Sequence, residues 1–261
     1  KFLSYILNHV AFKFVTEVGN PKLMNREMGN IQIPLPPLSV QEEIVAEIDG
    51  YQKIIDGARQ VVDNYKPTIK VDPEWEMVEI DNLCNLVRGS SPRPKSDKRF
   101  YGGNVPRLMV SDVTRDGMYT TPTTDFLTEE GAKQSRLMKK NEVVMAVSGN
   151  PGLPTIMAID AYIHDGFVGY RTLDKKVIPQ FFYFVLLWMK DMNNNQSTGA
   201  VFKNLTTSQI RRFKIPLPSL PIQREIVAQI EAEQEMVNSN KKLIEIYDQK
   251  IKDKIGEVWG E

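Results

Sequence analysis

Residues Ile33–Ile48 read "IPLPPLSVQEEIVAEI" and residues Ile215–Ile230 read "IPLPSLPIQREIVAQI", 182 positions further on. Eleven of the sixteen aligned residues are identical: Ile33, Pro34, Leu35, Pro36, Leu38, Gln41, Glu43, Ile44, Val45, Ala46 and Ile48. The register persists downstream, where Tyr65 meets Tyr247 and Ile69 meets Ile251. An ungapped match of this length marks a duplicated structural unit.

Each copy has three parts. "IQIP" and "FKIP" alternate like the end of a strand. The prolines that follow remove ladder donors and favour an extended connector. A helix then begins. Ser39 and Glu42 predict a capping box in the first copy, and Pro221 suits the first turn in the second. In the first helix Ile44, Ile48, Tyr51, Ile55, Ala58, Val62 and Tyr65 recur in steps of four and three, a heptad seam. The second helix continues the pattern through Ile226, Ile230, Val237, Ile244, Tyr247, Ile251 and Val258, interrupted by Glu233 and Asn240. Polar seam residues fix register or face a partner, so Glu233 and Asn240 are candidate partner-binding positions. At ~1.5 Å per residue, helices of about 26 and 37 residues reach roughly 40 and 55 Å. A long antiparallel coiled coil is the expectation. Gly50 and Gly57 lie one heptad apart inside the first helix, each costing about 1 kcal/mol relative to alanine. They let another helix come close or are tolerated defects. The first of these makes them candidate partner contacts.

Composition narrows the class. The 261 residues hold 33 basic and 33 acidic side chains, so any charged surface is local. Residues 41–66 carry +3 and −6, residues 67–222 carry +20 and −16, and residues 223–261 carry +6 and −9. Cys84 is the single cysteine, which excludes an internal disulfide, and the two histidines cannot build a zinc cluster alone. No apolar run reaches membrane-spanning length. The chain starts at Lys1 without a methionine, as a piece of a longer protein would. A cytoplasmic location is expected.

Between the repeats the patterning is mixed. "DPEWEMVEIDNLCNLVRG" opens with a turn and a short alternating run. "NVPRLMVSDVTRDGMYT" predicts strand, turn at Asp116-Gly117, and strand. "NEVVMAVSGNPG" is a buried strand. "PTIMAIDAYIHDGFVGYRTL" predicts two strands around His164-Asp165-Gly166. "IPQFFYFVLLWMKDMNNN" predicts a buried helix. The fold class is therefore α+β: one globular mixed α/β domain plus two long helices in an antiparallel coiled coil. The boundaries are 1–36, 37–67, 68–218 and 219–261.

Two loops concentrate positive charge. One holds Arg88, Ser90, Ser91, Arg93, Lys95, Lys98, Arg99 and Tyr101 against Asp97 alone, and the other holds Lys203, Asn204, Arg211, Arg212 and Lys214 with no acid. Lys, Arg, Ser and backbone N–H groups suit phosphate contacts, and Arg, Asn and Gln suit base edges. Candidate DNA-binding residues are those eight of the first loop, Ser111, Arg115, Ser148, Asn150, Lys203 and Asn204. No catalytic motif survives inspection. "NPGL" (Asn150–Leu153) lacks the second proline and the aromatic of an amino-methyltransferase motif, and "DQK" (Asp248–Lys250) lies on the heptad helix without an acidic partner. There is no P-loop and no metalloprotease motif. No cofactor and no metal are expected.

The doubled proline-to-helix phrase, each copy following the end of a target-reading domain, resembles the specificity (S) subunit of type I restriction–modification systems. "STGAVFKNLTTSQIRRFKIPLP" (Ser197–Pro218) resembles the usual end of such a domain and "WEMVEIDNLCNLVRGSSP" (Trp75–Pro92) its beginning. The resemblance covers nearly the whole chain. It implies a non-catalytic subunit that reads one half of a split site in double-stranded DNA. It also implies that the helices dock modification (methyltransferase) subunits and, through the complex, the restriction subunit. The family carries two recognition domains and this chain one. Residues 1–36 then read as the tail of another: Phe2, Leu3, Tyr5 and Ile6 parallel Phe181, Phe182, Phe184 and Val185. The chain is either a fragment or a half-sized form, and a half-sized form implies a homodimer. The reading of a different class is a coiled-coil scaffold that binds no DNA. A free-standing methyltransferase is disfavoured by the missing cofactor loop.

Overall fold

The computed structural model describes residues 1–10, 31–195 and 206–259. Two compact units emerge: residues 1–66 with 232–261, and residues 67–231.

The first unit is helical. Helix α1 (Phe2–Val10) precedes α2 (Leu38–Asn64). The helix of the second repeat, called α7 below, runs Leu220–Trp259, and its stretch from Ala232 belongs to this unit. The expected seam is the buried one on α2: Ile44, Ile48, Ile55 and Ala58 are buried. Cross-helix pairs fix the direction. Glu47 meets Lys254 Nζ at 2.8 Å, the rings of Tyr51 and Tyr247 lie 5.3 Å apart, and Tyr65 donates to Glu233 at 3.2 Å. Rising numbers on α2 meet falling numbers on α7, so the pair is antiparallel. Phe2 and Ile6 of α1 close its end against Ile44, Ile48 and Ile255. The Tyr5 hydroxyl and Lys1 Nζ both donate to Asp49, at 2.6 and 2.7 Å.

One expectation fails at the start of α2. Pro37, with φ −53°, is the N-cap, and no side chain caps the helix. Ser39 therefore lies inside the first turn and Glu42 just beyond it. The proline stops the extended segment two residues earlier than the serine pattern suggests. The Gln41 amide instead donates to the Pro36 carbonyl at 2.8 Å.

The second unit is a layered α+β domain. Its strands are β1 (Glu76–Glu79), β2 (Asn85–Arg88) and β3 (Tyr101–Leu108), followed by the short helix α3 (Val110–Asp116). Then come β4 (Tyr119–Thr120), β5 (Asp125–Leu127), α4 (Glu129–Lys133), β6 (Arg136–Met138) and β7 (Val143–Ala146). The chain continues through β8 (Pro154–Met157), β9 (Ala161–Ile163), β10 (Phe167–Arg171), α5 (Pro179–Asn195), α6 (Thr207–Arg211), β11 (Lys214–Leu217) and α7. A five-stranded sheet runs β2-β10-β7-β8-β4 and a four-stranded sheet β5-β3-β9-β6, with β1 and β11 paired apart.

Strand β7 shows why the domain holds together. All four residues are buried. Val143 and Met145 face α5 with Phe181, Phe182 and Tyr170, while Val144 and Ala146 face Leu108, Ile163 and Phe167. A strand covered on both faces needs an unbroken apolar run, as "VVMA" is. The Tyr170 and Phe182 rings meet edge-to-face at 4.9 Å. At about 1.5–3 kcal/mol per buried large side chain, α5 is a main anchor of the domain.

Two local expectations are corrected. "VSDVTRD" forms α3 rather than continuing a strand, because Asp112 is fully buried and accepts from Met109 N at 2.9 Å, closing the first turn. Seven residues are too few for a helical period to show. The stretch 154–171 forms three strands, not two, because β9 leaves its neighbour's sheet to pair with β3 and β6. Pro216 also sits within β11, opposite Met77, where a two-stranded ribbon has a free side for it.

At the second repeat Gln223 is fully buried. It accepts from Ile178 N at 2.9 Å and donates to the Lys176 and Pro218 carbonyls, each at 2.8 Å.

Candidate nucleic-acid interface

The basic loop Gly89–Phe100 leaves β2 and returns into β3. Its first residue must be glycine for steric reasons, since a Cβ on Gly89 would lie 1.9 Å from the His164 carbonyl oxygen. Gly89 N donates to Phe167 O and Ser90 N to Ile163 O, so the loop is bound to the β9–β10 turn. That turn supplies its main anchor. Asp165 accepts from Ser91 Oγ at 2.7 Å and from Arg93 Nη2 at 3.0 Å. The Ser91 hydrogen bond, with the nearby His164 and Arg93, holds the Asp165 carboxyl below its ordinary range. Tyr101 fixes the far end by donating to Pro92 O at 2.7 Å.

The expected cations divide into two sets. Arg99 is paired with Asp97 at 2.7 Å, and Arg93 with Asp165. Arg115 has all five of its N–H donors engaged: two on Asp116, and one each on Asp112, Thr123 and the Thr121 carbonyl. It ties α3 to the following loop and in the free chain has no donor to offer. Arg88, Lys95 and Lys98 are exposed and make no ion pair among the described residues.

The remaining candidates are scattered along the domain. Ser111 is exposed on α3, its hydroxyl 3.5 Å from Thr124 Oγ1. Ser148 is exposed in the β7–β8 loop, and Asn150 beyond it accepts from Lys190 Nζ at 2.8 Å. Lys203 and Asn204 lie outside the described residues. In the same segment, Arg211 on α6 is paired with Asp81 and donates to Leu86 O. On the long helices, Glu233 accepts from Tyr65, whose burial beside that carboxylate pushes the phenol up to about 12. Asn240 donates back to the Met236 carbonyl of its own helix at 2.9 Å. A Cβ built on Gly50 or Gly57 meets nothing within 4 Å.

Reading along the chain missed a cleft of about 360 Å³ beside the loop, lined by Ser91, Lys95, Tyr101, Arg107, Met109, Asp125, His164 and Asp165. Arg107 is its central cation. Register sets it directly opposite Asp125 across β3 and β5, and Nε donates to that carboxylate. Its guanidinium carbon lies 4.9 Å from the Tyr101 ring centroid. One edge is thus pinned and one face stacked. His164 accepts from Gly166 N at 2.9 Å through Nδ1, and its pKa is lowered by burial and then by Arg107. The neutral ring therefore carries its proton on Nε2. That atom is buried without a hydrogen-bond partner among the described residues. An interspersed arginine in an alternating strand, with an aspartate eighteen residues on, gives no signal until the strands are registered.

Nothing in these arrangements resembles a nucleophile with its base. The Cys84 thiol is pushed up to about 12 by burial and stays protonated. Among the described residues no cluster of His, Cys, Asp and Glu has the makings of a metal site, and no helix is long and apolar enough to cross a membrane.

Comparison with known proteins agrees with this picture. Residues 73–246 match the family model for the type I restriction modification DNA specificity domain. A Methanocaldococcus jannaschii protein described as "Putative type I restriction enzyme MjaX specificity subunit" is 23% identical over 273 residues, spanning 92% of this chain and 63% of that protein. The chain thus spans less than two thirds of that relative's length. A chain from a study of complex assembly and conformational transition of the type I R-M system matches 98% of this chain at 19% identity, covering 70% of its own length, with a TM-score of 0.68. The HsdS subunit from Thermoanaerobacter tengcongensis matches the same share at 19% identity, covering 69% of its own length, with a TM-score of 0.57. These two show the fold: a mixed α/β domain with long helices. The chain belongs to the type I restriction–modification DNA specificity domain family.

Proposed function

We propose that the chain is a non-catalytic DNA-recognition subunit, or part of one, whose α/β domain reads one half of a split site. The observation that carries this is the division of the cations on the 89–100 loop. Carboxylates fix the loop's shape through Arg93 and Arg99, and Arg88, Lys95 and Lys98 remain free for phosphates. Phosphate contacts position such a domain, and neighbouring side chains then reach base edges. The helix pair docks modification subunits and, through them, the restriction subunit. Residues 1–36 act as the closing tail of a second recognition domain. The complex works in the cytoplasm on the chromosome.

The test is a gel-shift titration of the chain with its modification subunit at low salt. Sequence-dependent, salt-sensitive binding supports the reading. An absence of DNA affinity in that mixture contradicts it and favours a scaffold.

A further inference from the structure

Arg107 carries an unused hydrogen-bonding edge. Its side chain is only 12% exposed, and among the described residues it donates through Nε alone, to Asp125. Its two Nη groups find no protein acceptor there. They are not sealed in, since the enclosed side-chain nitrogens without a partner are His164 Nε2 and Trp259 Nε1. The Nη edge therefore opens into the cleft that Arg107 lines. A guanidinium so far withdrawn from water, with most of its donors unspent, calls for acceptors brought by a ligand.

That edge is also held still. Nε is pinned across the β3–β5 register, and the guanidinium stacks on Tyr101, whose hydroxyl is in turn fixed on the Pro92 carbonyl at 2.7 Å. A planar fork set in place beforehand loses little freedom when it binds. Loops from separate parts of the chain meet around it. Ser91 and Lys95 come from the 89–100 loop, Met109 from the start of α3, and His164 and Asp165 from the β9–β10 turn. The β7–β8 loop closes in as well, because a Cβ on Gly166 would lie 2.4 Å from His164 Cε1 and 2.5 Å from Ser148 Oγ.

Charge and shape select the ligand. In the lining, Lys95 and Arg107 are matched by Asp125 and Asp165. A phosphate entering here would meet two carboxylates, whereas the edge of a base brings no net charge to repel. The fork needs two acceptors side by side in one plane. In the major groove guanine presents that pair, O6 and N7. Adenine sets a donor beside its N7, thymine a methyl beside its O4, and cytosine offers a donor. We infer that Arg107 is a specificity-determining residue that reads O6 and N7 of one guanine in the major groove of the half-site. This rests on the DNA-reading role above and adds the residue, the groove and the base. The free cations of the 89–100 loop then hold phosphates while Arg107 reads.

The experiment measures binding by the chain with the modification subunit of its own system, on duplexes carrying the split motif found by methylation mapping. Each guanine is replaced in turn by 7-deazaguanine, which pairs normally but lacks N7, or by inosine, which keeps O6 and N7 and lacks only the minor-groove amino group. At one guanine 7-deazaguanine is expected to weaken binding about fivefold or more, and inosine less than about twofold. Arg107→Gln with Asp125→Asn retains a cross-strand hydrogen bond and strands no carboxylate, and a melting curve checks its fold. In that variant the 7-deazaguanine penalty is expected to disappear at that guanine alone. A wild type that tolerates 7-deazaguanine at every position, or a half-site without guanine, overturns the inference and leaves the DNA-reading role standing. A penalty that survives in the variant, or one that inosine reproduces, assigns the guanine to another residue or to the minor groove and overturns it too. A wild-type mixture with no DNA affinity overturns the DNA-reading role and this inference together.

Discussion

Gln223 donates to the Pro218 carbonyl at 2.8 Å, and at the matching position of the first repeat Gln41 donates to the Pro36 carbonyl at the same distance. The duplicated phrase is therefore a duplicated device, in which a glutamine one turn into each helix grips the proline connector before it. The two sites differ in their surroundings. Gln223 is fully buried and also satisfies Ile178 N and the Lys176 carbonyl, whereas Gln41 is half-buried.

That difference sets the first prediction. Gln223→Ala removes the amide from three backbone groups, Ile178 N and the Lys176 and Pro218 carbonyls, at about 1 kcal/mol each, so a loss of roughly 3 kcal/mol is expected. Gln41→Ala removes one part-buried bond and costs about 1 kcal/mol. Urea denaturation of the two variants side by side checks the ordering.

Arg115 and Lys98 are expected to separate stability from DNA affinity. Arg115→Ala leaves the buried Asp112 and the exposed Asp116 short of their cation and unties α3 from the loop after it, so it lowers Tm. Lys95→Glu with Lys98→Glu leaves Tm nearly unchanged but removes two phosphate contacts. The slope of log binding constant against log salt then falls by about 2. Binding isotherms at several salt concentrations read this directly.

Arg107 holds a different place. Arg107→Ala strands Asp125 in the cleft and removes the stacking partner of Tyr101. Arg107→Lys keeps the charge but loses the planar fork. Both variants are expected to destabilise the domain, the alanine more, and calorimetry of the two checks the order. If the cleft contributes to base reading, Arg107→Lys also broadens the methylated motif.

His164 gives the domain a pH dependence of known sign. Its folded pKa lies below the ordinary 6.5, so the fold prefers the neutral ring. The unfolded chain binds the proton first as pH falls. The stabilisation is fully present above about 6.5 and is lost as pH falls from there through the lower folded value. His164→Gln should flatten this loss. NMR titration of the His164 ring, with a midpoint below 6.5, is the check.

Legibility in the sequence followed the range of the interactions. The heptad seam, the buried strand β7 and helix α5 were readable because 3.5-, 2- and 3.6-residue periods persist over several turns or lie in unbroken apolar runs. Helix α3 was not, because its stop and start depend on one buried carboxylate, Asp112, bonded to a loop eleven and twelve residues away. The 89–100 loop was visible from its charge. Which cations are free was not, because Asp165 lies over seventy residues away from Ser91 and Arg93. The Arg107–Asp125 pair needed the β3–β5 register.

Base-resolved methylation of host DNA, with and without the gene for this chain, tests the DNA-reading role most directly. One split motif is expected to lose methylation when the gene is deleted and to regain it when the gene is restored. Restoring the gene with Arg88, Lys95 and Lys98 all changed to Glu should leave the motif unmethylated. A methylation pattern unchanged by deletion contradicts the role.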